Sequence, residues 1–350
     1  MFKRKKVKIV KIGNLKIGGG LPILVQSMTN TPTSDVEKTV KQIKKLEAAG
    51  CEIVRVGVPD LKSAKALGKI KKKINIPLVA DIHFSAKLAI EAVNQGVDKV
   101  RINPGNFPKQ ELFKIVALCK KKKIPIRIGI NSGSLEKDIL GKHKVVTPEM
   151  MVKSALKNIG LIEKMGFYDL VISLKTPDVL RTVKAYELLS EKINYPLHLG
   201  VTEAGGEFSG SIKSAIALGY LLLRGIGDTI RISLTGDPAE EVKVGWEILK
   251  SLELRERGVK ITSCPTCART SIDVIGLTKK VEALTKKMKK PLKIAVMGCV
   301  VNGLGEGREA DLAIVGGGNL ALIIKKGKII KKVEKKKAFE WFKNELKKYL

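Results

Sequence analysis

Aromatic residues make up only 4% of the 350-residue chain, two Trp, five Tyr and eight Phe, too few for a surface that stacks nucleic-acid bases. Histidine is rarer, with three in all. Acidic residues are outnumbered, 34 against 66 Lys and Arg, for a formal charge of +32. Such an excess suits nucleic acid, an acidic partner or a small anionic ligand. The lysine-rich runs at 69–73, 120–123, 286–290 and 325–337 are scattered over helix ends and strand edges, and no nucleic-acid-binding module accompanies them. Each reads as a solvated face. Long apolar runs are missing too: Ala215 to Leu223 is interrupted by Gly219 and closed by Arg224, far short of the ~20 residues of a membrane-spanning helix. Residues 1–6 are basic, but Val7 to Gly20 alternates Lys with apolar residues and offers no apolar signal-peptide core. A cytoplasmic protein without a nucleic-acid or membrane partner is expected. In that reducing compartment five cysteines are metal ligands, catalytic groups or core residues rather than disulfides.

What is present is a repeated unit: a short β-branched run, a polar or Gly turn, then an amphipathic helical stretch such as Val36 to Ala49 or Glu111 to Lys121. The runs are Pro22 to Gln26, Glu52 to Val56, Pro77 to Asp81, Asp98 to Ile102, Pro125 to Ile130, Asp169 to Leu174, Pro196 to Val201 and Asp228 to Ser233. Eight such units make an α/β chain whose expected fold is a (β/α)8 TIM-type barrel over residues 1–254, with an open doubly wound sheet as the alternative.

Residues two apart on a strand share a side, and the ends of these strands are unusually polar. Asp81 and His83, Arg101 and Asn103, Arg127 and Asn131, Ser173 and Lys175, His198 and Thr202, and Arg231 and Ser233 share parity at the C-terminal ends, with Arg55 on the second strand. In a barrel these ends converge on one mouth, and a ring of four Arg and one Lys suits a phosphate-bearing small molecule. Neither a G-x-x-x-x-G-K-[ST] nor a G-x-G-x-x-G loop is present to indicate a nucleotide. His83 and His198 read equally as scaffold histidines or substrate contacts. Glu203, in the Gly-rich loop after the seventh strand, is the better candidate for proton transfer.

After Leu254 the charged stretch Arg255 to Lys260 breaks the rhythm and reads as a linker. A small α+β domain over 261–350 is expected, with a helix from Asp273 to Lys287, strands at Leu292 to Met297, Asp311 to Val315 and Ala321 to Ile324, a Gly-rich turn through Cys299 and a terminal helix. It contains Cys264, Cys267 and Cys299, and no other Cys or His. A lone C-x-x-C fits a redox pair or half a zinc site, yet structural zinc normally takes four N or S ligands. Three thiolates with a labile oxygen ligand, for which Glu306 is placed, suit a [4Fe-4S] cluster with one iron open to substrate. Cys119 falls on the apolar face of Glu111 to Lys121 and Cys51 enters a strand, so both read as core thiols.

The segments Pro77 to Phe84, Val100 to Asn106, Gly133 to Asp138 and Leu197 to Gly206, together with both cysteine segments, resemble the 4-hydroxy-3-methylbut-2-enyl diphosphate synthase family over nearly the whole chain. The resemblance implies a TIM barrel followed by an iron-sulfur domain, arranged as a homodimer, with reduced flavodoxin or ferredoxin as electron donor. It implies reductive ring opening of methylerythritol cyclodiphosphate in isoprenoid precursor synthesis. Cys264, Cys267, Cys299 and Glu306 would ligate the [4Fe-4S] cluster. Arg55, His83, Arg101, Asn103, Arg127, Asn131, Lys175, His198, Arg231 and Ser233 would bind the diphosphate, and Glu203 would donate the proton. One departure is visible: Leu304 stands where the family usually has Pro. A non-redox phosphate-binding barrel like a pterin synthase, with a zinc or disulfide module, is the competing class. A basic nucleic-acid-binding protein is a third.

Overall fold

The computed structural model describes residues 4–349, which divide into two compact units with the boundary between Arg255 and Glu256. In the first unit eight parallel strands follow one another around a sheet in chain order: Leu24–Met28, Ile53–Gly57, Leu78–Asp81, Lys99–Ile102, Ile126–Asn131, Leu170–Lys175, His198–Leu199 and Thr229–Ile230. The eighth pairs with both the first and the seventh. A parallel bridge between Ile172 and Leu197 joins the sixth strand to the seventh and closes the ring. The fold is the expected TIM-type barrel.

The outer helices follow from local chemistry. In Val36–Ala49, Asp35 accepts the Lys38 N–H at the start, satisfying a donor the first turn leaves open. Gly50 ends it at φ 106°, a left-handed conformation that suits glycine. Its buried stripe of Val40, Ile43 and Leu46 faces the sheet, each large side chain contributing ~1.5–3 kcal/mol.

The hairpin Val10–Ile12 and Leu15–Ile17 buries Val10, Ile12 and Ile17 against Leu24, Ile53, Val79 and Val171 near the strand starts. The N-terminal end of the barrel is thereby plugged with apolar side chains. Polar groups are left for the other end.

The second unit is a five-stranded mixed sheet of Val259–Ser263, Leu292–Met297, Leu312–Gly317, Leu320–Lys325 and Lys328–Glu334, in chain order. The first three strands are parallel and the last three antiparallel. Alternation sends Ile294, Val296, Leu312 and Ile314 to one face, against helices Val274–Thr285 and Ala338–Lys347. Ala295, Met297, Ala313 and Val315 face the other side, where helix Val300–Glu309 packs.

Two expectations are corrected here. The stretch after Cys299 is a helix, not a Gly-rich turn. A Cβ on Gly303 would meet Val315 Cγ1 at 2.3 Å, and one on Gly307 would meet Ile324 Cδ1 at 2.7 Å. These glycines let the helix lie close on the sheet. The stretch read as linker ends inside a strand, because Val259 and Lys260 pair with Leu292 and Lys293.

Candidate active site

At the C-terminal end of the barrel a cavity of about 140 Å³ is lined by Met28, Arg55, Asp81, His83, Arg101, Arg127, Asn131, Ser173, Lys175, Thr202 and Arg231. Five basic side chains and one carboxylate therefore face a single space. Asp81 organises two of them. Arg101 Nη1 donates to Asp81 Oδ1 at 3.1 Å, and Arg55 Nε lies 3.7 Å from Oδ2. The same Arg101 nitrogen is 2.7 Å from His83 Nε2, and Arg101 Nη2 donates to the Gly129 carbonyl at 3.3 Å. Burial opposes ionisation of Asp81, but Arg55, the His83 hydrogen bond, Arg101 and Arg127 hold its carboxyl well below the usual range. Burial draws Arg55 down to about 10, leaving it cationic at neutral pH.

On the opposite side Arg231 Nη2 donates to Glu241 Oε1 at 3.3 Å, and Ser27 Oγ donates to Oε2 at 3.0 Å. Lys175 Nζ lies 3.4 Å from His198 Nε2, and His198 Nδ1 lies 2.8 Å from Thr229 Oγ1. Burial lowers the Lys175 ammonium, with Arg231, Arg127, Arg55 and Arg101 adding repulsion. Several donors remain unused: Nε and Nη1 of Arg127, Nε of Arg101 and Nε of Arg231 are buried without partners among the described residues. Orphaned guanidinium donors around one cavity are what a bound oxyanion satisfies.

Two glycines make the crowding possible. A Cβ on Gly129 would lie 2.3 Å from Arg101 Nε, and one on Gly200 would lie 2.6 Å from Lys175 Nζ.

Of the residues expected to bind the diphosphate, Arg55, His83, Arg101, Arg127, Asn131, Lys175 and Arg231 line the cavity. His198 is fully buried and outside the lining. Asn103 and Ser233 are outside it as well, and the buried polar atoms of their side chains have no partner among the described residues. Glu203 is exposed in the loop after the seventh strand and holds φ 52°, a backbone state that costs a non-glycine residue energy and clusters at functional sites. Sequence reasoning missed Met28, Glu241, Gln26 and Lys99. Lys99 shares strand parity with Arg101, the signal that would have found it.

In the second unit the cysteines sit where parallel strands end. Cys264 follows Val259–Ser263, and Cys299 caps helix Val300–Glu309 just beyond the neighbouring strand Leu292–Met297. All three are free thiols, Cys267 exposed and the others half-buried. The Gly298 N–H donates to Cys264 Sγ at 3.0 Å, and the Ser271 N–H donates to the Gly298 carbonyl at 2.8 Å, tying the two cysteine loops together. At Cys267, the neighbouring Arg269 backbone and the Thr270 hydroxyl favour the thiolate. Among the described residues no three Cys, His, Asp or Glu side chains are gathered tightly enough for a single ion. A cubane cluster holds its ligands further apart than one ion does. Three unpaired thiols with backbone N–H donation to sulfur fit such a group. Glu306 is exposed on the same helix, and Leu304 continues that helix and packs against the core beneath it.

The fold and the two sites fit the class of barrel enzymes with a basic, anion-binding mouth and a second unit whose free thiols suit a metal group. Residues 7–246 match the family described as the GcpE TIM-barrel domain and residues 260–348 the GcpE protein C-terminal domain. A protein of Caldanaerobacter subterraneus subsp. tengcongensis named 4-hydroxy-3-methylbut-2-en-1-yl diphosphate synthase (flavodoxin) is 60% identical, covering 99% of this chain and 98% of its own. One of the same name from Clostridium perfringens is 54% identical, with coverage of 96% and 97%. Among solved structures, dihydropteroate synthases of Stenotrophomonas maltophilia and Yersinia pestis share the fold. Their TM-scores are 0.54 and 0.52, at 14% and 12% identity, over 70% and 71% of this chain and 98% and 100% of theirs. The chain belongs to the GcpE family, whose members are [4Fe-4S] oxidoreductases. Among the described residues no helix is long and apolar enough to cross a membrane.

Proposed function

We propose that the chain converts 2-C-methyl-D-erythritol 2,4-cyclodiphosphate to 4-hydroxy-3-methylbut-2-enyl diphosphate, opening the ring reductively and losing water. The observation that carries this reading is the cavity lined by five basic side chains, several of whose buried donors have no partner among the described residues. Cys264, Cys267, Cys299 and Glu306 would hold the [4Fe-4S] cluster, which when bound would supply the two electrons of the reduction. The remaining work belongs to the barrel.

Arg55, Arg101, Arg127, Lys175 and Arg231 hold the phosphates, with Asn131 beside them and His83 engaged through Arg101. Asp81 and Glu241 fix Arg101, Arg55 and Arg231 before the substrate arrives. When the ring carbon–oxygen bond breaks, negative charge moves onto the departing phosphate, and cations already in place stabilise it without reorganising. Glu203 donates the proton with which the hydroxyl leaves as water, a role that suits a carboxyl on a loop at the mouth. Reduced flavodoxin or ferredoxin delivers the electrons, the basic surface favouring an acidic donor. The same reading includes a cytoplasmic homodimer.

The test is turnover by anaerobically purified protein with the cyclodiphosphate and reduced flavodoxin, followed by phosphorus NMR. The cyclic signals should give way to those of a linear diphosphate. An unchanged cyclodiphosphate under a donor shown to be reduced would reject the reading.

A further inference from the structure

On the inner side of the barrel lies a titratable residue that the proposed chemistry does not use. Lys99, on the fourth barrel strand, is fully buried and two residues before Arg101, so it shares the inner side of the barrel. Its Nζ has no hydrogen-bond partner among the described residues, and both amide atoms of the buried Gln26 are unpartnered too. The charged and titratable groups acting on Lys99 are Arg127 and Arg55, and Lys99 in turn acts on His198. No carboxylate is in that set. Asp81 is engaged by Arg101, Arg55 and His83, and Glu241 by Arg231 and Ser27.

A buried ammonium without a counterion, facing two guanidinium groups, is strongly disfavoured. Burial first, then Arg127 and Arg55, pulls Lys99 well below its ordinary value. Burial without a counterion thus favours the neutral amine in the free protein. A diphosphate entering the cavity brings the missing negative charge.

From this fully buried and unpartnered amine on the inner side of the barrel, and resting on the substrate reading above, we infer that the protein binds its cyclic diphosphate together with one proton, taken from solvent onto the Lys99 amine. No covalent bond other than the new N–H is made. Each phosphorus of a cyclic diphosphate carries one strongly acidic oxygen, so the substrate does not titrate near neutral pH. The sign follows from linkage. A group protonated in the complex and neutral in the free protein makes binding tighter as pH falls, by up to about tenfold per pH unit between the two values. Lys99 is a positioning residue here: it sets the charge of the ring without touching the reacting atoms.

The test is calorimetry on the anaerobic holoenzyme, titrated with the cyclodiphosphate near pH 8 in buffers of different ionisation enthalpy. Uptake of about one proton per chain is expected, with Kd rising with pH. Lys99→Met should abolish the uptake and flatten the pH dependence while circular dichroism is unchanged. Lys99→Arg, charged at every working pH, should abolish it as well, so a misfolded Met variant does not decide the matter. Binding with no proton exchange in the wild type would overturn the inference. Retained uptake in Lys99→Met, with loss in Lys175→Met or His198→Gln, would overturn it too. Failure of the cyclodiphosphate to bind at all would instead remove the substrate reading, and this inference with it.

Discussion

Replacing Asp81 by Asn keeps the size of the side chain and removes the one carboxylate that faces the cavity. Its oxygens lie 3.1 Å from Arg101 Nη1 and 3.7 Å from Arg55 Nε. At an effective dielectric constant of 20, unit charges at these distances attract by about 4–5 kcal/mol. Part of that attraction is offset by the cost of burying the ions, and breaking a buried pair on one side costs about 3–5 kcal/mol net. For a unit of this size that corresponds to a fall of about 6–20 °C in the barrel transition. The pH dependence gives a second signature. The folded-state pKa of Asp81 is depressed, so its stabilisation is fully present above the unfolded value of about 4 and is lost as pH falls below it. Wild type and Asp81→Asn should differ most near pH 7 and converge on acidification. Thermal unfolding with and without bound diphosphate checks this, since the ligand supplies negative charge and should narrow the gap. Equal stability at pH 7, or curves that stay parallel into acid, would refute the claim that Asp81 holds the ring together.

Gly129→Ala should push Arg101 aside, because its Cβ would lie 2.3 Å from Arg101 Nε, and KM should rise about 10–100-fold, the cost of a lost charged hydrogen bond. Gly160→Ala, with nothing within 4 Å of its Cβ, should leave KM unchanged. Glu203→Gln should lower kcat by about 10²–10⁴-fold with little change in calorimetric substrate affinity; a large affinity loss with normal kcat would make it a binding residue instead. Cys51 and Cys119 have their thiols pushed up to about 12 by burial, so Ser replacements there should keep the brown chromophore, whereas Ser at Cys264, Cys267 or Cys299 should abolish it, as an absorption spectrum will show.

The barrel was legible because its interior alternates. Arg101 and Asn103, or Ser173 and Lys175, announce an inner face by parity alone, and parallel strands buried on both sides leave continuous β-branched runs. What stayed hidden lay where tertiary contact overrides local preference. The helix Val300–Glu309 carries three glycines that depress helix propensity, and only the close approach of Val315 and Ile324 explains two of them. The edge strand Lys328–Glu334 is masked by lysines that read as solvated, although charge on an edge is what discourages further pairing. The hairpin Val10–Ile12 and Leu15–Ile17 had its signal in the Gly13-Asn14 turn. At the site, Glu241 escaped notice because helix periodicity places it without naming its partner. Arg231 meets it only once the barrel closes.

The central question is whether this barrel works by reduction. The most direct measurement is the iron and acid-labile sulfide content of anaerobically purified, fully active protein, taken with its absorption spectrum. One [4Fe-4S] cluster per chain is predicted, with activity falling in step with the chromophore when air is admitted. A colourless, zinc-loaded protein that still converts the cyclodiphosphate at full rate would contradict it.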